Sequence, residues 1–169
     1  REELAALLDA CREYAVEVNA EWAEILGINP AAAITCVKPS GTVSQLCDTA
    51  SGIHARHSAF YFRTVRLDKK DPIYALLKTM NVHIEDDMMK KDSTAVVMFP
   101  QRSPVGAVTR NDMTAIEQLE VWLIYQRHWC EHKPSVTISV SDDEWPEVGA
   151  WVFKHFGEVS GVSFLPRSD

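Results

Sequence analysis

Apolar residues recur along this chain with two different periods, and the places where the period changes mark its elements. Leu4, Leu7, Leu8, Cys11, Ala15, Val18, Trp22 and Ile25 fall at helical spacing with Glu and Arg between them, and Gly27 ahead of Asn29-Pro30 supplies a stop. The opening helix is expected to set that stripe against a core. Ala33 to Val37 is then a short apolar run of strand type, ended by Pro39-Ser40-Gly41-Thr42 and followed by a short helical pattern. Phe60 to Leu67 reads as a strand. Asp71 beside Pro72 gives an N-cap and a first-turn proline to a helix carrying Ile73, Leu76, Leu77 and Met80.

The second half repeats the alternation. Thr94 to Phe99 is a β-rich run, and Thr114 with Glu117 makes a capping box for a helix to about Lys133, with Ile116, Leu119, Trp122, Leu123 and Trp129 inward. Val136 to Val140 is a fourth strand. Ser141 with Glu144 offers another capping box, for a helix carrying Trp145, Val148, Val152, Phe153 and Phe156, and Val162 to Leu165 is a fifth β-like run. Five strands with intervening helices argue the α/β class. Lys90 to Ser93 and Gln101 to Asp112 are the loop candidates, and Trp22, Trp122, Trp129, Trp145 and Trp151 mostly fit helix patterns as core residues.

Composition narrows what such a chain can do. With 46% apolar residues in 169, it can bury one sizeable core, so residues 1–169 are read as a single domain, which the resemblance described below makes a partial one. The formal charge is −7 with scattered acids and no basic stripe, which argues against a nucleic-acid polymer as partner. The four cysteines include no Cys-x-x-Cys pair and no His at zinc spacing, so no metal site is expected, and Cys36 and Cys130 read as buried, inert thiols. Without a signal peptide or an apolar run long enough for a bilayer, the expectation is a cytoplasmic protein with no membrane partner. The chain opens inside a helical pattern and stops just past a strand-like run, which sets the expectation of excision from something longer.

The candidate chemistry lies in Pro39-Ser40-Gly41-Thr42-Val43-Ser44. Pro39 shapes a tight turn without an N–H of its own, Gly41 permits close backbone approach, and Ser40 and Thr42 add hydroxyls. Amides at a helix start near Thr42, Val43 and Ser44 would complete an anion cradle suited to phosphate. Plain helix capping by Thr42 with Gln45 is an equal reading of the same spacing. It is not a Walker loop, because Lys38 precedes the turn; Lys38 is read as solvated ahead of a direct contact. His54, Arg56 and His57 form the densest cluster of potentially cationic side chains, read as a polar loop slightly ahead of direct site lining.

Ile34 to Leu46, Ser51 to Ser58 and Phe60 to Arg66, followed in order by Val96 to Pro100, Glu117 to Leu123, Pro134 to Ile138, Asp142 to Trp145 and Gly161 to Pro166, closely resemble a known family. It is the adenosylcobalamin-dependent (class II) ribonucleotide reductases, and the match is to the C-terminal part of their catalytic barrel. The resemblance implies half of a ten-stranded α/β barrel, and the phosphate-binding loop for a ribonucleotide at Pro39, Ser40, Gly41, Thr42, Val43 and Ser44. It also implies, for the parent enzyme, adenosylcobalamin and thiyl-radical conversion of ribonucleotides to deoxyribonucleotides. The family's radical cysteine lies in an Asn-x-Cys-x-Glu loop that is absent here. No catalytic residue is therefore assigned, no cofactor is expected to be held by this chain alone, and the chain alone is expected to be inactive. The remaining barrel half, or a homo-oligomer, is the expected partner, because half a barrel leaves open strand edges. Two rival readings are a free-standing, non-catalytic nucleotide-binding module and a half-domain complementing a separately encoded partner.

Overall fold

The computed structural model describes residues 1–41 and 43–167; Thr42, Ser168 and Asp169 lie outside the described residues. The chain divides into two compact units, one formed by Arg1–Arg56 with the chain from Val108 onward, the other by His57–Ala107.

In the first unit, α1 (Glu2–Leu26) ends at Gly27, whose φ of +66° lets the N–H groups of Gly27 and Ile28 turn back onto the carbonyls of Glu24 and Ala23. The expected inward stripe is only half covered. Leu4, Leu8, Ala15 and Val18 are half-buried, but Leu7, Cys11, Ile25 and Trp22 are exposed, the last by 55%, and Ala23 is the buried residue of the helix. Polar ties join α1 to α4 (Ala115–His128): Asp9 Oδ2 lies 2.7 Å from His128 Nδ1, and Arg12 donates to the Arg127 carbonyl at 3.1 Å.

The core sits between α4, β4 (Val136–Val140), α5 (Trp145–Lys154) and β5 (Val162–Pro166). Leu119, Trp122 and Leu123 of α4 meet Val136, Ile138 and Val140 of β4, with Val148 and Trp151 from α5. Strands β4 and β5 pair in parallel, from Val136 opposite Val162 to Val140 opposite Pro166, with α5 as the crossover. Both halves of the Thr114–Glu117 capping box form: Thr114 Oγ1 accepts from Glu117 N at 3.1 Å, and Glu117 Oε2 from Thr114 N at 2.9 Å. The second box forms only in part. Glu144 accepts from Ser141 N at 2.8 Å, but α5 starts at Trp145, and the other Glu144 oxygen accepts from Ala115 N at 2.8 Å, so this carboxylate caps α4 instead.

Two further expectations are corrected together. Helix α4 stops at His128, short of Lys133, and residues 33–37 form no strand and join neither sheet. Glu131 and His132 donate to the Thr35 carbonyl, Ser135 donates to Val37, and Trp129 Nε1 donates to Cys36 at 3.1 Å. The Glu131 carboxylate accepts from Ile34 N at 2.8 Å and Thr35 N at 3.3 Å, and these N–H donors hold its carboxyl below the usual range. Two amides and three carbonyls of the run are thus taken up by the connection after α4, which has to leave helical geometry before Pro134. Cys130, in this connection, is buried, and burial pushes its thiol up to about 11.

The second unit is a three-stranded antiparallel sheet in the order β1 (Phe60–Asp68), β3 (Thr94–Arg102), β2 (Ile84–Asp86), with α3 (Pro72–Thr79) after β1. Asp71 caps α3 by accepting from Ile73 N at 2.9 Å, yet Ile73, Leu76 and Met80 are exposed. Among the described residues, β2 brings the strand total to five in place of residues 33–37. Pro100 pairs opposite Phe62, beyond the residues of β3 that β2 reaches, so its missing N–H breaks no bond on that side. Phe60 and Phe62 are exposed along β1.

Candidate functional site

The turn at 39–44 lies within the first unit, between the run at 33–37 and a single helical turn, α2 (Val43–Leu46). Gly41 has φ +61°, is exposed, and has no atom within 4 Å of where a Cβ would stand, so its backbone faces open space. Val43 N donates to the Ser40 carbonyl at 3.3 Å, closing the turn. Ser44 is 3% exposed, and its Oγ has no hydrogen-bond partner among the described residues. A buried hydroxyl of this kind is uncommon without an ordered water or a ligand oxygen.

The turn is braced from below by residues 51–54. Ser51 Oγ accepts from Ser40 N at 3.0 Å and lies 3.3 Å from Ser40 Oγ. The Ser40 amide is therefore spent inside the protein, whereas the sequence reading gave the turn's amides to phosphate. Gly52, with φ +59°, passes so close to the run before the turn that a Cβ would meet Val37 Cγ1 at 3.1 Å and the Lys38 carbonyl oxygen at 3.3 Å. Both ring nitrogens of His54 are occupied: Nδ1 lies 2.6 Å from the Ser51 carbonyl, and Nε2 accepts from Thr137 N of β4 at 3.0 Å.

Arg56, 6% exposed, donates to Gln45 Oε1 at 3.4 Å and to Asp48 Oδ1 at 3.2 Å, joining α2 and the residues after it to the chain at 56. Its backbone pairs with Val108 and Arg110. Lys38 and Pro39 are exposed, and Thr42 lies outside the described residues. His57 is exposed and belongs to the second unit, where its ring is edge-on to Tyr61 at 5.8 Å. The structure thus brings Ser40, Gly41, Val43, Ser44, His54 and Arg56 into one hydrogen-bonded neighbourhood. Ser51, Gly52, Gln45, Asp48 and Thr137 complete it, and the sequence named none of these as a site residue, Gln45 entering only as a capping partner for Thr42; the Ser-Gly dipeptide at 51–52 is the signal that marks a second turn. Among the described residues no cluster of His, Cys, Asp and Glu could hold a metal ion, and no helix is long and apolar enough to cross a membrane.

A separate cavity of about 400 Å³ in the second unit is lined by Arg66, Glu85, Asp86, Asp87, Met88 and Met89. There Arg66 donates to Asp87 at 2.9 Å, which together with the Met89 and Lys90 amides holds the Asp87 carboxyl below its usual range.

No protein-family model matches the chain. Among curated proteins it is 31% identical over 94% of its length to an adenosylcobalamin-dependent ribonucleoside-triphosphate reductase of Euglena gracilis, of which it covers 21%. It is 28% identical over 95% of its length to the enzyme of that name from Lactobacillus acidophilus, covering 22%. A crystal structure of a B12-dependent (class II) ribonucleotide reductase superposes on 99% of the chain and 24% of its own with a TM-score of 0.80, at 23% identity. The chain therefore spans about a fifth to a quarter of the proteins it matches.

The cationic cluster does not fit as a holder of the corrinoid those names imply. Both His54 nitrogens are committed to the backbone, the Arg56 guanidinium is buried on Gln45 and Asp48, and His57 lies in the other unit. What the match does carry is the ordered sequence and the partial barrel, with its few-stranded sheets: over nearly its whole length the chain is similar to a segment of the adenosylcobalamin-dependent (class II) ribonucleotide reductases and shares the fold of part of their barrel.

Proposed function

We propose that the turn at 39–44 receives the phosphates of a ribonucleotide, and that the protein to which this barrel segment corresponds reduces ribonucleotides to deoxyribonucleotides. The observation that carries the reading is the buried Ser44 hydroxyl without a partner, in the turn that follows the open Gly41 backbone. A phosphate oxygen can accept from Gly41 N–H, where the missing Cβ leaves room for it, and the buried Ser44 Oγ–H is a second donor that a small opening of the turn would bring to the same ligand. Ser40 contributes differently: its amide is tied to Ser51, which holds the corner at a fixed position. Adenosylcobalamin would supply the radical chemistry of the parent enzyme. The residues of this chain bind and orient; no step of the reaction is assigned to them. The relatives are named as triphosphate reductases, so a triphosphate is the proper probe.

The test is a calorimetric titration of the chain with CTP and with inorganic tripolyphosphate. Binding of both by the wild type, with at least a tenfold loss in Gly41→Val and in Ser44→Ala, is expected. Equal affinity in wild type and both variants would remove the turn from the binding site, and binding of neither probe would leave the chain without the proposed role.

A further inference from the structure

We infer that His54 is a positioning residue for the phosphate turn, fixing the Ser40 corner to strand β4 through Ser51 in the neutral, Nδ1-protonated tautomer. The inference rests on the phosphate reading for its ligand, but not for its geometry. Thr137 N can only donate, so His54 Nε2 has to be an acceptor, and a neutral imidazole with Nε2 unprotonated carries its proton on Nδ1. That proton faces the Ser51 carbonyl at 2.6 Å, which can only accept. Both ring nitrogens are thereby matched, and the same residue 51 then receives the Ser40 amide on its hydroxyl at 3.0 Å. A continuous series of bonds runs from a buried strand to the turn: Thr137 to His54, His54 to Ser51, and Ser40 to Ser51.

The strand end of that series is firm. Ile138, beside Thr137, is completely buried in the core, and Ile53, beside His54, packs against the same core. Thr137 and Ser139 point their backbone groups along one edge of β4, and there the side chains of His54 and Gln118 stand where a neighbouring strand would. Gly52 is the residue that allows the bracket to close on the turn, since any Cβ would press on Val37 and Lys38. A ligand contacting Ser40 or Gly41 therefore meets a backbone whose position was set before it arrived, which is the geometric requirement for tight anion binding.

The experiment compares His54→Ala, His54→Asn and His54→Gln in the full chain with two readouts. One is amide hydrogen exchange at Ser40, with Leu119 and Leu123 as core controls; the other is the dissociation constant for tripolyphosphate. Asn reproduces the donor at the Nδ1 position and Gln the acceptor at the Nε2 position. His54→Ala is expected to speed Ser40 exchange roughly five- to tenfold, the worth of one hydrogen bond, with the controls unmoved, and to weaken tripolyphosphate by a similar factor. His54→Asn is expected to restore both and His54→Gln neither. Unchanged Ser40 exchange in His54→Ala, equal acceleration of the controls, or rescue by Gln as good as by Asn would overturn the inference. Absence of tripolyphosphate binding in the wild type would instead overturn the phosphate reading, and the exchange readout would still decide the role of His54.

Discussion

The Arg56 guanidinium donates to the Asp48 carboxylate at 3.2 Å although the arginine side chain is 6% exposed and the aspartate 69%. The bond points outward from a buried cation to a rim carboxylate, and it spans the end of α2, where Asp48 takes a positive φ of 50°. Asp and Asn both tolerate that backbone, so Asp48→Asn removes the charge without adding strain. It is expected to destabilise the first unit by about 1 kcal/mol, less than a buried charge-assisted bond is worth because solvent screens the exposed carboxylate. Arg56→Lys should cost at least as much, because a lysine ammonium cannot reproduce the guanidinium fork that reaches both Gln45 and Asp48. Urea denaturation of the two variants measures this; midpoints equal to wild type in both would mean that the pair is not holding α2.

Gly41 and Gly52 share a positive φ but differ in what surrounds them, and the two substitutions to alanine should separate accordingly. At Gly41 the alanine methyl finds open space, leaving only the backbone penalty of about 1 kcal/mol. At Gly52 the same penalty is joined by contacts of 3.1 Å and 3.3 Å with Val37 and Lys38, so the loss is expected to be about 2–3 kcal/mol. Thermal denaturation should therefore rank Gly52→Ala well below Gly41→Ala. Equal melting temperatures would show that residues 37–38 yield to the methyl and that the bracket is looser than its distances imply.

Elements with a long apolar period were legible, and those whose partners lie far away in sequence were not. Asp71-Pro72 and Thr114 with Glu117 announce their helices because each cap is made within three residues of itself. Glu144 has the same spacing from Ser141, yet its second oxygen is drawn to Ala115 on another helix, which no local pattern encodes. Residues 33–37 have the composition of a strand but form none, because Glu131 and the backbone after α4 take hydrogen bonds a neighbouring strand would need. The short strand Ile84–Asp86 was hidden because two of its three residues are acidic and exposed. In the candidate site, the turn stands out through Pro39, Ser40 and Gly41, while its bracing is nonlocal: His54 was visible only as one member of a polar His-Arg-His cluster, and the fold alone gives it Thr137 as a partner. The stripe on α1 was read correctly as helical and incorrectly as covered throughout, since periodicity reveals an apolar face but not what stands against it.

Trp122 is fully buried and donates from its indole N–H to the Pro134 carbonyl at 2.9 Å, just where the chain passes from the α4 connection into β4. Trp122→Phe keeps most of the packing but removes the donor and leaves that carbonyl facing apolar atoms. A loss of about 2–4 kcal/mol is expected from the unsatisfied carbonyl and the smaller ring together. Chemical denaturation checks the magnitude, and a cost below about 0.5 kcal/mol, the usual scatter for surface changes, would contradict the pairing.

The acid limb of stability should carry the signature of Glu158. Its carboxylate accepts from Arg127 Nε at 2.6 Å and Nη2 at 2.7 Å, and it lies 3.2 Å from His155 Nδ1. The Arg127 bonds first, and His155 after them, hold its carboxyl at about 2 against an ordinary 4.5. Because the folded value is the lower one, the unfolded chain takes up this proton first as pH falls. The contribution is then complete above about pH 4.5 and is lost progressively as pH drops toward 2. Glu158→Gln should consequently melt below wild type at pH 6, with the gap narrowing through pH 4 and 3 and closing near pH 2. The exposure of both partners keeps the effect modest and sensitive to salt, so the comparison belongs at low ionic strength. A gap that stays constant from pH 6 to pH 2 would mean that the glutamine variant loses packing around His155, and that the ion pair with Arg127 is not what stabilises the end of α4.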